Sequence, residues 1–281
     1  LAEPSIDLVV LASPDHVHMA QALAVLDAGK HIVIDKPLAP TLAEARNIAA
    51  RATERGLMLS VFHNRRWDAD FLTLKRLIAA GELGEVTEFE SRFDRFRPEL
   101  GNRWKDQRSG GVWQDLGPHL VDQALVLFGR PIAVSADLAV LKPHGQSIDH
   151  VQVQLRYPTR RVRLHISQTM PDHSLRLAAH GSCGSFIKHG IDVQEDQSKA
   201  GIRPLDPRWG IDPHPGRLTR TDGSVSEIAP ERGDYRAFYR AVARALSGEA
   251  AMPVSVNEAL SVMEIIAAGI ASNEQRREIM L

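Results

Sequence analysis

The stretch "IDLVVLASPDHVHMAQALAVLDAGKHIVID", residues 6–35, decides the fold class. Its opening IDLVVLA runs almost without a polar break, the pattern of a strand covered on both faces. DHVHMAQALAVLDAGK then reads as a helix with Gly29 as its stop, and HIVID as a second buried strand. Thr41 and Glu44 in TLAEARNIAARATERG have the spacing of a capping box, and Gly56 closes that helix. LMLSVF is a third strand. Strand and helix alternating in this way predict a parallel, doubly wound sheet.

The rhythm changes after HNRRWDADFLTLKRLIAAGELG, a helix ending in a glycine-containing turn. EVTEFESRFDRF, VQVQLRY and RVRLHISQ alternate apolar and polar residues, which marks a sheet with one face on a core and the other open. The second half is therefore expected to be α+β with a large, mostly antiparallel sheet. The open face suggests burial against another subunit, hence a homodimer or homotetramer. Residues 196–233, rich in Pro, Gly and Asp, are expected to form long loops, and DYRAFYRAVARALSG and NEALSVMEIIAAGIASNEQ to close the chain as helices.

The 281 residues suffice for two domains of ordinary size. With 43% apolar residues, 25% charged residues and a formal net charge of −1, the balance is that of a globular protein without a field for nucleic acid or an anionic membrane. The apolar runs are too short to span a bilayer, and LAEPSIDLVV lacks the basic region and cleavage site of a signal peptide. The single Cys183 excludes an internal disulfide and a cysteine-rich zinc site. A cytoplasmic protein acting on a small molecule is the expectation. The chain starts at Leu1 and enters a strand pattern almost at once, as though joined in mid-fold.

Three parallel strands make half of a dinucleotide-binding sheet, yet the GxGxxG turn that lets backbone approach a pyrophosphate is absent. GSCGSFIKHG (181–190) has neither the spacing nor the preceding parallel strand. Three places remain for chemistry. VIDKPLAP puts Asp35 and Lys36 at the carboxyl end of a central strand, the edge where open α/β sheets bind ligands, and the bond to Pro37 could be cis. In ASPDHVH, Ser13 could cap the helix with Pro14 at its first position; His16 and His18 form an H-x-H with no third metal ligand at a supporting spacing, so no metal is expected. In DLGPH, Asp115 and His119 share a helix face, with Pro118 tolerated in the first turn. They read either as a cap and a packing residue or as an acid–base pair, histidine being the side chain that titrates near neutrality.

SPDHVH, HIVIDKPLA, VFHNRRW, LIAAGELGEV and GGVWQDLGPHLVDQALVLFG, in this order, resemble the Gfo/Idh/MocA family over nearly the whole chain. The later GSFIKHGIDVQEDQSKAG and DPRWG are similar to the branch that includes NADP-using scyllo-inositol dehydrogenases. The resemblance implies a Rossmann domain, here residues 1–63 and lacking about one βαβ unit at its N-terminus, followed by a substrate-binding and oligomerisation domain at 64–281. It implies an NAD- or NADP-dependent oxidoreductase acting on a secondary alcohol of a sugar or inositol-like polyol. NAD-dependent glycoside hydrolysis, reduction of another carbonyl, or, if the first βαβ unit is truly absent, a non-catalytic sugar-binding or regulatory role are the alternatives. By motif, Lys36, His119 and Asp115 are the catalytic residues, and all three also meet substrate. Asp35 stands where glutamate is usual. Ser13, Pro14, His18, Asp35, Lys36, Asn64, Trp104 and Lys105 are implied on the cofactor, and Arg66 and Tyr235 on the substrate, with Asp94 a substrate candidate from the sheet. Arg92, Asp149 and His150 are further candidates from the sheet.

Overall fold

The computed structural model describes residues 1–101 and 110–281. The chain forms two compact units: residues 1–64 with 237–267, and residues 65–236 with 268–281.

The first unit carries a three-stranded parallel sheet in the order β1 (Leu8–Leu11), β2 (His31–Asp35), β3 (Leu59–Phe62). Helices α1 (His18–Asp27) and α2 (Leu42–Glu54) make the connections. The capping box at the start of α2 is formed: Glu44 N–H donates to Thr41 Oγ1 at 3.2 Å, and Thr41 N–H donates to Glu44 Oε2 at 3.0 Å. Ile32, Val33 and Ile34 of β2 are fully buried, whereas Val10 of β1 is 44% exposed. The expected two-sided cover thus holds for the central strand and not for β1, which has one strand neighbour among the described residues.

Residues 237–267 join this unit, although the sequence division assigned everything beyond 63 to the second domain. The reason is packing around β3. Phe62 meets Phe238 edge-on at 4.9 Å and Tyr239 at 5.3 Å, and the buried Ser60 hydroxyl donates to Val254 O at 2.8 Å.

The second unit opens with α3 (Ala69–Ala79) and builds a nine-stranded sheet. Its strands in chain order are β4 (Val86–Arg92), β5 (Ala133–Ala139), β6 (His150–Arg156), β7 (Arg161–Ser167), β8 (Leu175–Gly181), β9 (Gly184–His189), β10 (Gly216–Arg220), β11 (Val225–Ile228) and β12 (Ile279–Met280). All neighbours are antiparallel except β4 and β7. GSCGSFIKHG makes the β8–β9 turn and β9, and residues 196–233, expected to hold long loops, also contain the β10–β11 hairpin and part of α5 (Gln194–Lys199). Helices α6 (Arg236–Leu246) and α7 (Val256–Gln275) complete the chain.

Alternation along β4 sets the two faces of this sheet. Phe89, Ser91 and Phe93 are buried, and Phe89 packs edge-on at 5.5 Å against Phe128 of α4 (Gly111–Phe128). Glu88, Glu90 and Arg92 occupy the other face, where Arg163 of β7 pairs with Glu88 at 3.0 Å and with Glu90 at 3.3 Å.

Helix α4 starts earlier than its sequence suggested. Gly111 adopts φ +44°, and a Cβ there would stand 2.1 Å from Ile148 O, so only glycine fits this turn. Val112 N–H then donates to Ile148 O at 2.9 Å, tying the helix start to the loop before β6. Pro118 consequently lies inside the helix rather than in its first turn, and removes the N–H that would bond the carbonyl of residue 114.

Candidate functional site

In the first unit the predicted residues gather at the carboxyl ends of β1 and β2. The loop after β1 carries Ser13 and Pro14 and leads through a short 3-10 turn, Asp15–Val17, into α1. Ser13 does not cap that turn; its hydroxyl donates to Gln21 Oε1 at 2.6 Å. His18 is buried, with Nδ1 3.0 Å from Pro37 O and Nε2 2.9 Å from Ser13 O. Both partners are carbonyl oxygens, so each contact asks for a ring N–H, and a neutral imidazole carries one. His18 therefore clasps the loop after β1 to the loop after β2, and its ring nitrogens serve the backbone.

Lys36 follows β2, and the Lys36–Pro37 bond is cis. Asp35 lies near Tyr239 of α6, whose hydroxyl is pushed up by burial and then by the Asp35 charge. Asn64 ends the unit at the start of a second 3-10 turn, Asn64–Trp67.

In the second unit α4 presents Asp115, half-buried, and His119, buried, one turn apart. The His119 ring stands edge-on to Phe93 at 6.1 Å. Two guanidinium groups lie over that same Phe93 ring, Arg176 at 4.2 Å and Arg65 at 5.4 Å.

Behind them runs an ionic network that no local sequence pattern announces. Arg176 and Asp70 are both fully buried, with Nε 2.9 Å from Oδ2. Arg176 also donates to Ser91 Oγ at 2.7 Å and to Gln123 Oε1 at 2.8 Å. Gln123, one turn beyond His119 on α4, donates to Arg65 O at 2.9 Å. Arg65 donates to Glu195 at 2.6 Å and to the Tyr235 hydroxyl at 3.1 Å, and lies 3.4 Å from Asp68. Burial, with Asp192 and Asp70 nearby, holds the Asp68 carboxyl well above the usual range despite Arg65. Burial works against the Glu195 charge too, yet Lys199 and Arg65 hold that carboxyl down at about 2.

Several predicted residues serve this network. The Tyr235 hydroxyl donates to Asp68 Oδ1 at 2.8 Å, so it is engaged inside the unit. Arg66 grips Asp122 of α4 through Nε at 2.9 Å and Nη2 at 2.7 Å. Asp94 lies apart from this group. Alternation puts it on the sheet face away from Phe93 and His119, where His165 at 2.7 Å and Arg92 at 2.6 Å hold its carboxyl below the usual range against the effect of burial. Arg92 and His150 share that outer face, with His150 5.3 Å from His165. Asp149 caps a loop, accepting from Leu141 N at 2.8 Å and Lys142 N at 3.0 Å. Trp104 and Lys105 lie outside the described residues.

A nicotinamide cofactor is the group this arrangement implies. The carboxyl edge of β1 and β2 fits one end of it: clasped loops presenting the Ser13 hydroxyl, backbone groups and the Lys36 ammonium suit a polar, uncharged ring substituent and ribose. The glycine-rich pyrophosphate turn is not among these residues.

Comparison with known proteins accords with this geometry. Residues 1–63 match "Oxidoreductase family, NAD-binding Rossmann fold" and residues 75–281 match "Oxidoreductase family, C-terminal alpha/beta domain". The oxidoreductase YdgJ of Escherichia coli (strain K12) is 48% identical over 99% of this chain and 82% of its own length. The scyllo-inositol 2-dehydrogenase (NADP(+)) IolW of Bacillus subtilis (strain 168) is 38% identical over 99% of this chain and 80% of its own length. The solved structure of an oxidoreductase from Yersinia pestis superimposes with a TM-score of 0.95 at 46% identity, over 99% of this chain and 80% of that one. Two family domains in sequence, the first containing Lys36 and the second His119, identify the chain as an oxidoreductase of the Gfo/Idh/MocA family with NAD(P) as its cofactor.

Proposed function

We propose that the protein oxidises a secondary alcohol of a sugar or inositol-like polyol to a ketone, and reduces that ketone in reverse. The observation that carries this reading is the 38% identity, over 99% of the chain, to an enzyme named as an NADP-dependent scyllo-inositol dehydrogenase. The D-K-P and D-x-G-P-H motifs add the residue types that the chemistry needs.

Bound NAD(P) supplies the hydride acceptor or donor. Lys36 favours negative charge on the substrate oxygen as its carbon–hydrogen bond breaks. His119 takes the hydroxyl proton, and Asp115, one turn earlier on α4, orients the ring and favours its protonated form. His18 holds the two loops of the first unit; Phe93, Arg176 and Gln123 hold the surroundings of His119. Self-association through the charged outer face of the large sheet belongs to the same reading, and a monomer by light scattering would remove that part.

The test is a panel of inositols and aldoses offered with NADP and with NAD, read as reduced nicotinamide absorbance. Turnover of at least one polyol is expected. Replacing His119 with Ala should lower it by about 10²–10⁴-fold, the usual contribution of a positioned acid–base group. NADPH affinity, read by fluorescence, should change little. No polyol turnover, alongside reduction of non-sugar carbonyls, would overturn the substrate class. A His119→Ala enzyme of near-normal rate would remove the histidine from the mechanism.

A further inference from the structure

Phe93 lies against His119, and the next residue on the same face of the extended chain is Arg95. The chain stays in register there: Phe93 N–H donates to His165 O at 3.0 Å and Arg95 N–H to Ser167 O at 2.7 Å. Two residues of extended chain advance about 7 Å, which sets Arg95 beside the His119 neighbourhood rather than on the outer face with Arg92 and Asp94.

Arg95 differs from the other arginines around it, the exposed Arg97 excepted. Arg65 pairs with Glu195, Arg66 with Asp122, Arg92 with Glu90 and Asp94, and Arg176 with Asp70. Arg95 is half-buried, yet among the described residues no carboxylate stands within 4.0 Å of its guanidinium. Glu195, the acidic group that attracts it most, is already bonded to Arg65 at 2.6 Å and to Lys199 at 2.8 Å. Its like-charged neighbours are Arg97 and Arg65; burial first, and then Arg97, lower its hold on the proton. A half-buried guanidinium without a counter-charge has lost part of its hydration, and an arriving anion offsets that loss through a charge-assisted, two-pronged hydrogen bond.

We propose that Arg95 is the anion-binding residue of a ligand subsite on the His119 face of the large sheet, receiving a carboxylate or phosphate group. The subsite deepens the reading above, resting on it only for the role of His119. The anion has two sources, an acidic group on the polyol substrate or a phosphate of the dinucleotide. In the first case the substrate class narrows to polyol acids or phosphates.

The experiment is calorimetric titration of the intact protein and of Arg95→Met and Arg95→Lys with inorganic phosphate, at constant ionic strength. Wild type should bind, Arg95→Met should bind about tenfold or more weakly, and Arg95→Lys should fall between, keeping the charge without the fork. Repeating the titration with NADPH present separates the sources. Phosphate displaced by NADPH assigns the anion to the dinucleotide. Phosphate still bound, together with competition against a sugar acid and none against the neutral sugar, assigns it to the substrate. Equal phosphate binding by wild type and Arg95→Met, or none by either, would overturn the proposal. So would an Arg95→Met protein whose thermal midpoint falls while its phosphate affinity holds, since the arginine would then be structural. Direct binding needs no turnover, so an inactive protein that binds phosphate through Arg95 would sink the catalytic reading and leave the subsite standing.

Discussion

The edge of the small parallel sheet and the helix-covered face of the large sheet both hold a buried histidine, but they hold it by different forces. At the edge, His18 bonds two backbone carbonyls, Ser13 O and Pro37 O, and everything it fixes lies within twenty residues along the chain. On the large sheet, His119 sits against Phe93, which is flanked by Arg176 and Arg65, themselves paired with Asp70 and with Glu195 far along the sequence. The first arrangement is a clasp between neighbouring loops. The second is a buried charge network in which each ion depends on its partner. Each arrangement leaves its own signature when it is broken.

The largest effect belongs to the charge network. Arg176→Met leaves the fully buried Asp70 carboxylate without its cation, a class of change that destabilises by about 3–5 kcal/mol. Urea denaturation should show this as a lower midpoint with an unchanged slope. Adding Asp70→Asn in the same chain should recover more than half the loss, because the uncompensated charge is then gone. A single substitution costing under about 1 kcal/mol would mean the pair is not sustained in solution, and the contrast with the edge of the small sheet would collapse. The clasp should fail more gently. His18→Ala removes the ring that bridges the two carbonyls, about 1–3 kcal/mol on the same scale. It should also weaken NADPH binding, since the loops it joins carry Ser13 and Lys36. Unchanged NADPH affinity would confine His18 to packing.

The two arrangements also differ in how readily they were read from sequence. The β-α-β alternation, the Thr41–Glu44 box and the stop at Gly29 are local patterns, and each appears where its spacing placed it. The strand alternation of β6 and β7 is equally clean, with Val151, Val153, Leu155, Val162, Leu164 and Ile166 all buried. The network around His119 was not legible. In NRRWDAD the charged residues look like a solvated helix start, and nothing local says that Asp70 will meet Arg176 across the fold. The start of α4 was misjudged for a similar reason. Gly111 is chosen by the carbonyl of Ile148, a contact thirty-seven positions away. Asp94, a substrate candidate from the sheet, lies by the parity of β4 on the face away from Phe93.

The smallest effect tests the rim of the charge network, where Glu195 lies half-exposed between Arg65 and Lys199. Its carboxyl is held down at about 2 from an ordinary value of 4.5. A depressed carboxyl contributes its stability above the ordinary value and loses it as pH falls toward the depressed one, so the window runs from about 4.5 to about 2. Asp68, whose carboxyl is raised by burial, runs the opposite way: its contribution is present in acid and is lost as pH rises through its raised value. Solvent at Glu195 screens the pair, so the acid-side loss should stay under about 1 kcal/mol. Glu195→Gln should flatten the pH dependence of the thermal midpoint between pH about 4.5 and 2, leaving the Asp68 trend on the higher side unchanged. If the wild-type and Glu195→Gln curves run parallel through that window, Glu195 is a solvated surface charge. The network would then end at Arg65, and the charged region around His119 would be a closed core without a titratable rim.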